Sequence, residues 1–549
     1  MKNRFLNIAL LFLLITVSKS TFAWNVTASS TNAGNASSPN ICRNIQQNGS
    51  LTASVWFYHA LPTPKASIRL VEVDDNGNIS QQKLFQLNYS GLFSPTKRIE
   101  IHRLLLNQDS NSYILLGTAH NPNTGSPTTQ SFLLKIDNFL NISGFKFLDQ
   151  HFNYYDFTIT PKTAKIICVG TLGIFNRLKV PSRKAVITVL DQTFNCMGLN
   201  VMPESLPGAG NIPRFDNIKV IKSYFNSITN EEKILIAGHI TRDSTVTSVI
   251  TNYIPEVFVS SIIINASGSI TNQWYSVLDS YINSHATICQ VVPCDLLYDE
   301  NRNTIALLSS STALNSGNFL TSHITLFNSI TGNSTKYALY EGQTSLSSPN
   351  PSTHTVYGQS IYLKNDGKYC INGWTNNYII SSSVTNRYNF YVVDFDPSSL
   401  SFDSMQLVIG TSNLYVGTQP TDFYGLYTDT GYSEGTTFYS LGVYNTAHSM
   451  TNYVDSFGND QHVVIWINTI GINNNSNNRL RIWSSKPGQG DGNNFCTIPK
   501  ISVSYATDDV LSQLKTINWQ YIYCFEFPQG SFDELNMDLD PSLCDGIID

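Results

Sequence analysis

The stretch Ile114-Leu115-Leu116-Gly117-Thr118, followed after a polar loop by Phe132-Leu133-Leu134-Lys135-Ile136-Asp137, decides the fold. An apolar run ends in Gly, a loop follows, and an alternating run ends in Asp. Short runs rich in branched and aromatic residues, bounded by turn-forming residues, are typical of β-strands. The stretch therefore predicts two neighbouring strands of one antiparallel sheet.

The same pattern recurs along the chain. Further apolar runs end at Val169-Gly170, Ala237-Gly238, Asn372-Gly373 and Leu441-Gly442, with a degenerate copy at Leu307-Leu308-Ser309. The runs that end in Asp or Asn close at Asp74, Asp137, Asp191, Asn265, Asn328, Asp394 and Asn468. Seven copies of a unit about as long as four short strands match the size of a propeller blade.

A four-stranded sheet cannot bury both of its faces alone, so the units must pack against one another. We predict an all-β fold, a seven-bladed β-propeller of four-stranded antiparallel blades over residues 51–486. We expect a C-terminal strand to complete the first blade and so close the ring. The alternative arrangement is two β-sandwiches.

The segments outside the repeats have distinct compositions. Residues 1–23 combine Lys2 and Arg4 with an apolar core and end in Thr21-Phe22-Ala23, as a secretory signal peptide does. Residues 24–50 are rich in Asn, Ser and Thr and are interpreted as an N-terminal arm. Residues 487–549 are interpreted as the closing segment and an acidic tail. The sequence thus predicts a secreted or periplasmic protein.

Composition excludes some partners. Net charge is −6 and the pI is about 5.9, whereas nucleic-acid binding needs clustered Lys and Arg. After the leader, no apolar run is long enough to predict a transmembrane helix. No phosphate loop or metal-binding motif occurs, so we expect no cofactor and no metal.

Nine cysteines are present, and an exported chain permits disulfides. Cys289 and Cys294 are the best local pair, with a zinc pair as the alternative. A bond from Cys42 to Cys496, Cys524 or Cys544 would tie the termini together. Cys168 and Cys370 fall within predicted strands, where a buried thiol is the simpler interpretation.

The loops between second and third strands are long and rich in Asn, Ser, Thr, Gly and Tyr. Variable loops on a rigid scaffold are a common location for binding sites. Amide and hydroxyl groups beside aromatic rings suit a glycan or a protein surface as the ligand. The candidate ligand-binding residues are Trp374, Tyr378, Tyr253, Tyr444, Tyr453, His120, His239 and His448.

An enzymatic alternative remains open. A glycoside-acting hydrolase or lyase needs carboxylates at the centre of the ring, and a hydrolase uses two of them. Acids on the predicted first strands are the natural suppliers: Glu100, Asp156, Asp216, Asp295 and Asp422. The chain has no nucleophile elbow or zinc-protease motif, so a binding or adhesion module is favoured over an enzyme. A purely structural envelope component is the third possibility.

Three pairs of segments carry a resemblance to a known class. They are Leu115-Leu116-Gly117-Thr118 with Phe132–Asp137, Cys168-Val169-Gly170-Thr171 with Ala185–Asp191, and Val71-Glu72-Val73-Asp74 with Asn76-Gly77-Asn78. These units resemble the repeats of secreted bacterial β-propeller proteins across residues 51–486. The resemblance implies the fold and an exported location, and it carries over no site residue.

Overall fold

The computed structural model describes residues 24–28, 35–44, 49–57, 66–74, 79–88, 98–121, 128–148, 152–172, 184–202, 216–227, 230–241, 255–278, 289–313, 320–339, 356–375, 389–403, 406–408, 433–434, 437–438, 448–454, 460–470, 477–485, 495–497, 513–514, 520–522 and 531–535. Their regular structure is entirely β, with no helix. These residues therefore contain no helix that could cross a membrane.

Seven antiparallel sheets follow one another along the chain, numbered here by the order of their first strands. Sheet 1 contains Asn35–Asn44, Gly49–Phe57, Ala66–Asp74 and Ile79–Asn88; sheet 2 contains Arg98–Asn107, Ser112–Asn121, Thr128–Ile136 and Ile142–Phe147; sheet 3 contains Phe152–Ile159, Ile166–Leu172, Lys184–Leu190 and Cys196–Val201; sheet 4 contains Asn217–Asn226, Glu231–Thr241, Pro255–Ile264 and Ile270–Leu278.

Sheet 5 contains Cys289–Asp299, Thr304–Ala313, Leu320–Asn328 and Ser334–Leu339; sheet 6 contains Val356–Leu363, Tyr369–Thr375, Asn389–Asp396 and Gln406–Val408; sheet 7 contains His448–Val454, Asp460–Ile470 and Asn477–Ser485. In sheet 6, Ser401–Phe402 also pairs with the third strand. Ser433–Glu434 and Thr437–Phe438 form a separate two-stranded pair.

Sheet 7 takes its fourth strand from the other end of the chain. Trp24–Ala28 pairs antiparallel with Asn477–Ser485, so the two termini share one sheet. The sequence-based order of strands in the seventh unit is wrong by one. Asn468, predicted to end the third strand, lies in the second strand, and Leu480–Ser484, predicted as the last strand of the unit, lies in the third. The first strand of sheet 1, which the sequence pattern did not reveal, is Asn35–Asn44.

The C-terminal segment adds a further strand to the outer edge of four sheets. Phe495–Thr497 pairs with sheet 6, Gln513–Leu514 with sheet 4, Gln520–Ile522 with sheet 3 and Ser531–Leu535 with sheet 1. A C-terminal strand therefore does join the first sheet, as a fifth strand beside a complete set of four. The strand that completes a four-stranded sheet by joining the two ends of the chain is Trp24–Ala28, in sheet 7.

The apolar core lies between consecutive sheets. In sheet 2, Leu115 packs in the same cluster as Ile68 of sheet 1, while Ile114 and Leu116 pack with Phe157 of sheet 3. Alternate residues of one strand point to opposite faces, so a strand of near-continuous apolar residues serves two layers. The same arrangement fills the layers between sheets 3 and 4, 4 and 5, and 5 and 6.

The first strands of neighbouring sheets contact one another in chain order from sheet 1 to sheet 6, and the first strand of sheet 7 contacts that of sheet 1. Each sheet thus presents its first strand to its neighbours. Fully burying one Leu, Ile or Phe side chain stabilises by about 1.5–3 kcal/mol. The layers between sheets therefore hold the arrangement together.

In sheets 2 to 5 the Asp or Asn at the end of the third strand caps the next turn. The Oδ1 atom of Asp137 accepts hydrogen bonds from the backbone N–H of Phe139 and of Asn141, each at 2.8 Å. Asp191 makes the same two bonds to Thr193 and Asn195. An Asx side chain in this role replaces a backbone acceptor and fixes the turn. This bonding explains why the repeat ends in Asp or Asn.

Each tight turn of sheets 2 to 6 also contains one residue with left-handed backbone conformation. Asn and Gly accept this conformation at little cost, whereas other residues carry strain. Between first and second strands these residues are Asn111, Ala164, Asn230, Asn303 and Gly367; between third and fourth strands they are Leu140, Phe194, Gly268, Gly332 and Leu400.

A β-bulge explains the Gly near the end of the second strand in sheets 3 and 4. In sheet 3 the register shifts between Tyr154 and Asp156, and Tyr154 is opposite Gly170. A Cβ atom added to Gly170 would overlap the carbonyl oxygen of Asn153. The bulge moves the first-strand backbone into the space that a side chain would need. Gly238 has the same relation to Asn217 in sheet 4.

Replacing Gly170 with Ala should destabilise the protein by about 1–3 kcal/mol, because the methyl group overlaps a backbone carbonyl that cannot move alone. Denaturant-induced unfolding measures the change. Sheet 5 supplies the control, since Ser309 occupies the matching place opposite its bulge. Ser309→Ala should stay within about 1 kcal/mol of the wild type. Equal losses for the two variants would contradict this account.

Deleting residues 495–549 should lower the melting temperature by roughly 5 °C or more, because four sheets lose their outermost strand. Thermal unfolding followed by circular dichroism measures the shift. The control deletes residues 536–549, which follow the last described strand, and should melt as the full chain does. Unchanged melting of the longer deletion would show that the C-terminal strands add no stability.

Candidate functional site

Bulges recur at one place in the first strands of sheets 2 to 6. In each case the extra residue is the third to sixth of its strand, on the side of the long connections. The extra residues, called the bulge residues below, are His102, Tyr155, Lys219, Cys294 and Gln359. All five are half-buried. Bulges commonly redirect side chains beside functional sites.

Asp156 follows the bulge residue of sheet 3 and bonds to the sheets on both sides. Its Oδ1 atom lies 3.0 Å from Nη1 of Arg103 in sheet 2. Its Oδ2 atom accepts the backbone N–H of Ile221 in sheet 4 at 2.9 Å. The N–H of Phe157 donates to Oδ1 as well. One carboxylate thus joins three consecutive first strands.

Asp295 repeats this arrangement two sheets further along the chain. It follows the bulge residue of sheet 5, and its Oδ1 atom lies 2.9 Å from Nζ of Lys222 in sheet 4. Its Oδ2 atom accepts the backbone N–H of Ile361 in sheet 6 at 3.1 Å. The charged cluster is defined as Arg103, Asp156, Lys222 and Asp295. It joins the first strands of sheets 2 to 6.

The members of the charged cluster affect one another electrostatically. Burial raises the pKa of Asp156 above its usual value, and the attraction of Arg103 does not cancel that effect. The negative charge of Asp295 raises the same pKa further, so the two carboxylates are neighbours in the electrostatic sense. Burial lowers the pKa of Lys222, and the nearby positive charge of Arg103 adds to the decrease.

These contacts assign a structural role to two of the acids proposed for catalysis. Both oxygens of Asp156 and of Asp295 accept hydrogen bonds or ion pairs from the protein. A glycosidase nucleophile or base needs an oxygen directed at substrate or water. Glu100 and Asp216 are buried, with Oε1 of Glu100 3.9 Å from Nδ1 of His102. Asp422 lies outside the described residues.

The sequence-predicted binding residues fall into three groups. His239 is 1% exposed, and its Nδ1 atom lies 3.1 Å from Oδ1 of Asn217, which places it inside sheet 4 and away from a loop surface. His120, Trp374, His448 and Tyr453 lie in strands whose backbone alone is described there. Tyr253, Tyr378 and Tyr444 lie outside the described residues. Whether these residues form one binding site stays a prediction.

The predicted bond between Cys289 and Cys294 is corrected. Cys294 keeps its thiol, which donates to the carbonyl oxygen of Val292. Both cysteines lie on the strand Cys289–Asp299, where five residues of extended chain separate their Cα atoms by roughly 16 Å, more than twice the reach of a disulfide.

Other cysteines differ in state. The proposed bond from Cys42 to the C-terminal segment is also absent, and burial raises the pKa of the Cys42 thiol to about 12. Cys168 and Cys370 are buried thiols, as their strand positions predicted. Cys196, on the fourth strand of sheet 3, is disulfide-bonded.

No metal centre is formed in the described part of the chain, because it holds no group of three or more His, Cys, Asp or Glu side chains placed to share an ion. The expectation that the protein needs no metal or cofactor stays a prediction.

The sequence did not single out Arg103, Lys222 or the bulge residues. These residues are of unrelated types, and the one-residue insertion reverses the phase of the strand's alternation at a point that no particular residue type marks. The available signal was the Gly near the end of several second strands, such as Gly170 and Gly238. It marks where the first strand approaches too closely for a side chain, and the bulge follows from that.

Comparisons with known proteins give weak matches. No protein-family model matches the chain, and no curated protein does. Among solved structures, the chain is similar to a glucose dehydrogenase at 12% identity and a TM-score of 0.28, covering 64% of this chain and 96% of that one. It is similar to a rhamnogalacturonan lyase of Bacillus licheniformis at 11% and 0.30, covering 83% and 91%.

A third similar structure is the hemagglutinin-neuraminidase ectodomain of parainfluenza virus 5, at 8% identity and a TM-score of 0.29, covering 84% of this chain and 82% of that one. At these identities and TM-scores the matches carry no argument about activity or ligand. The function is therefore inferred from this chain's own sheets and side chains.

Changing Asp156 to Ala should destabilise the protein by about 3 kcal/mol, because it leaves Arg103 without its partner and the N–H of Ile221 without an acceptor. Asp156→Asn, which keeps an oxygen for that N–H, should lose less. The control is Asp109→Ala in an exposed turn, expected within about 0.5 kcal/mol of the wild type. Chemical denaturation measures all three. Wild-type stability of Asp156→Ala would contradict the structural role.

Proposed function

We propose that the seven sheets form a seven-bladed β-propeller that is exported and binds a glycan. Three observations support the ring. Five apolar layers join consecutive sheets, the first strands contact one another in order, and sheet 7 both contacts sheet 1 and receives the N-terminal strand. Two separate sandwiches would not need a strand shared between the two ends of the chain.

Export is supported by two features of different kinds. Residues 1–23 have the composition of a signal peptide that ends at Ala23. Cys196 is disulfide-bonded, and such bonds persist in oxidising compartments but are rare in the cytosol. Both features fit a secreted or periplasmic protein.

The observation that carries the binding proposal is the difference between the two ends of the sheets. At one end, tight turns join first to second and third to fourth strands, and each is fixed by capping bonds and one left-handed residue. At the other end, second and third strands are joined by longer connections, such as residues 173–183, 242–254 and 376–388. The lengths of the connections vary more at that end.

The composition of the long connections supports a glycan as the ligand. Residues 242–254 and 376–388 contain Asn, Ser, Thr and Tyr with one carboxylate between them. Amides and hydroxyls can donate and accept hydrogen bonds to sugar hydroxyls, and aromatic rings provide flat apolar surfaces. A catalytic role for Asp156 and Asp295 is disfavoured, because their oxygens are already bonded within the protein.

A glycan array probed with the purified mature chain tests the proposal. Saturable binding without release of reducing sugar is expected. Replacing residues 242–254 or 376–388 with a short Gly-Ser linker should remove or sharply reduce the signal, because it removes groups at the variable end. The matched control is Phe139→Ser with Ile330→Ser, two exposed apolar residues in tight turns, which should bind as the wild type does.

Three outcomes would overturn the proposal. An array without any bound glycan would exclude a glycan ligand and favour a protein partner or a structural role. Loss of binding in the tight-turn variant alone would place the site at the opposite end. Release of reducing sugar that Asp156→Asn abolishes without loss of stability would favour the enzymatic alternative.

A further inference from the structure

The charged cluster is asymmetric in its exposure. The carboxylate side chains of Asp156 and Asp295 are each 6% exposed, whereas the side chains of Arg103 and Lys222 are 24% and 22% exposed. The acids are therefore buried behind the cations. Solvent meets positive charge at this place, although the whole chain has a net charge of −6.

The two cations are held near each other by shared contacts. Asp156 binds Arg103 on one side and, on the other, the backbone N–H of Ile221, the residue before Lys222. Burial lowers the pKa of Lys222, and the positive charge of Arg103 lowers it further. Two like charges are thus kept together by the fold, and an anion between them would relieve their repulsion.

Arg103 has donors left for a ligand. Within the described residues its ion pair and hydrogen bonds run from Nη1 alone to the two oxygens of Asp156. A guanidinium carries five N–H donors in a fixed plane that matches carboxylate, sulfate and phosphate groups. The ammonium of Lys222 has three donors and one carboxylate partner.

We propose that Arg103 and Lys222 form a binding subsite for an anionic group, such as the carboxylate or sulfate of an acidic sugar. The subsite lies on the first strands, just past the bulge residues, and the buried acids orient the two cations. Paired charges of this kind give charge-assisted hydrogen bonds about twice as strong as neutral ones. The choice of a sugar as carrier rests on the proposed function, whereas binding of the anion does not.

Calorimetric titration tests the subsite with defined probes: glucuronate, sodium sulfate and neutral glucose. We expect binding of at least one anion, no binding of glucose, and weaker binding at high ionic strength. The probe that binds identifies the source of the charge, because glucuronate carries a carboxylate and sulfate does not.

Variants remove each ion pair as a unit so that no buried charge remains alone. Arg103→Gln with Asp156→Asn, and Lys222→Gln with Asp295→Asn, should each weaken anion binding about tenfold or more. The matched control is Arg302→Gln with Asp299→Asn. This is an Arg–Asp pair 2.8 Å apart at a tight turn, and the change should leave the affinity within about twofold.

The subsite is overturned if neither anion binds, if both cluster variants keep wild-type affinity while folded, or if the control loses affinity equally. Circular dichroism melting confirms that each variant is folded. A negative glycan array with anion binding that depends on the cluster would reject the proposed ligand and retain the subsite. The two proposals can therefore fail separately.

Discussion

Sheets 2 to 5 each have two apolar faces, and each keeps both away from water by lying between two other sheets. Leu115 faces one neighbour while Ile114 and Leu116 face the other, so a single strand contributes to two layers of core. A sheet at either end of such a stack has a neighbouring sheet on one side only. In sheet 7 the strand Trp24–Ala28 pairs with Asn477–Ser485, which brings the two ends of the chain into one sheet.

Close packing at the first strands explains both the glycines of the second strands and the buried charged residues of the first strands. In sheets 3 and 4 the bulge brings a first-strand backbone carbonyl against Gly170 and Gly238, respectively. The residue that follows the bulge residue is turned toward the neighbouring sheet. In sheets 3 and 5 that residue is Asp, whose carboxylate accepts an N–H from the following sheet and an ion pair from the preceding one. Buried carboxylates need such partners to remain charged. The bonds cross between sheets, so they specify spacing as well as adding stability.

Much of the β-architecture was readable from the residues, because its signals are local. Gly at the end of the second strand and Asp or Asn at the end of the third each answer a steric or hydrogen-bonding need within one sheet, such as the turn after Asp137. The strand Asn35–Asn44 was missed because its residues are polar and it lacks the alternation of a half-buried strand. The roles of Asp156 and Asp295 depend on Ile221 and Ile361, which are more than sixty residues away. No short pattern reveals such partners. Cys294 does not bond to Cys289 because both lie along one extended strand. The spacing of the two cysteines in the sequence does not reveal that geometry.

The order in which the chain pairs its two ends has a consequence for its biogenesis. Trp24–Ala28 is synthesised first, yet its partner Asn477–Ser485 emerges more than four hundred residues later. The final strands then run back along the outer edges from sheet 6 to sheet 1. Pairings this distant in sequence are slow to form. A nascent molecule therefore holds an unpaired strand near its amino end until synthesis is nearly complete. This delay gives chaperones a long interval in which they can bind the unpaired strand.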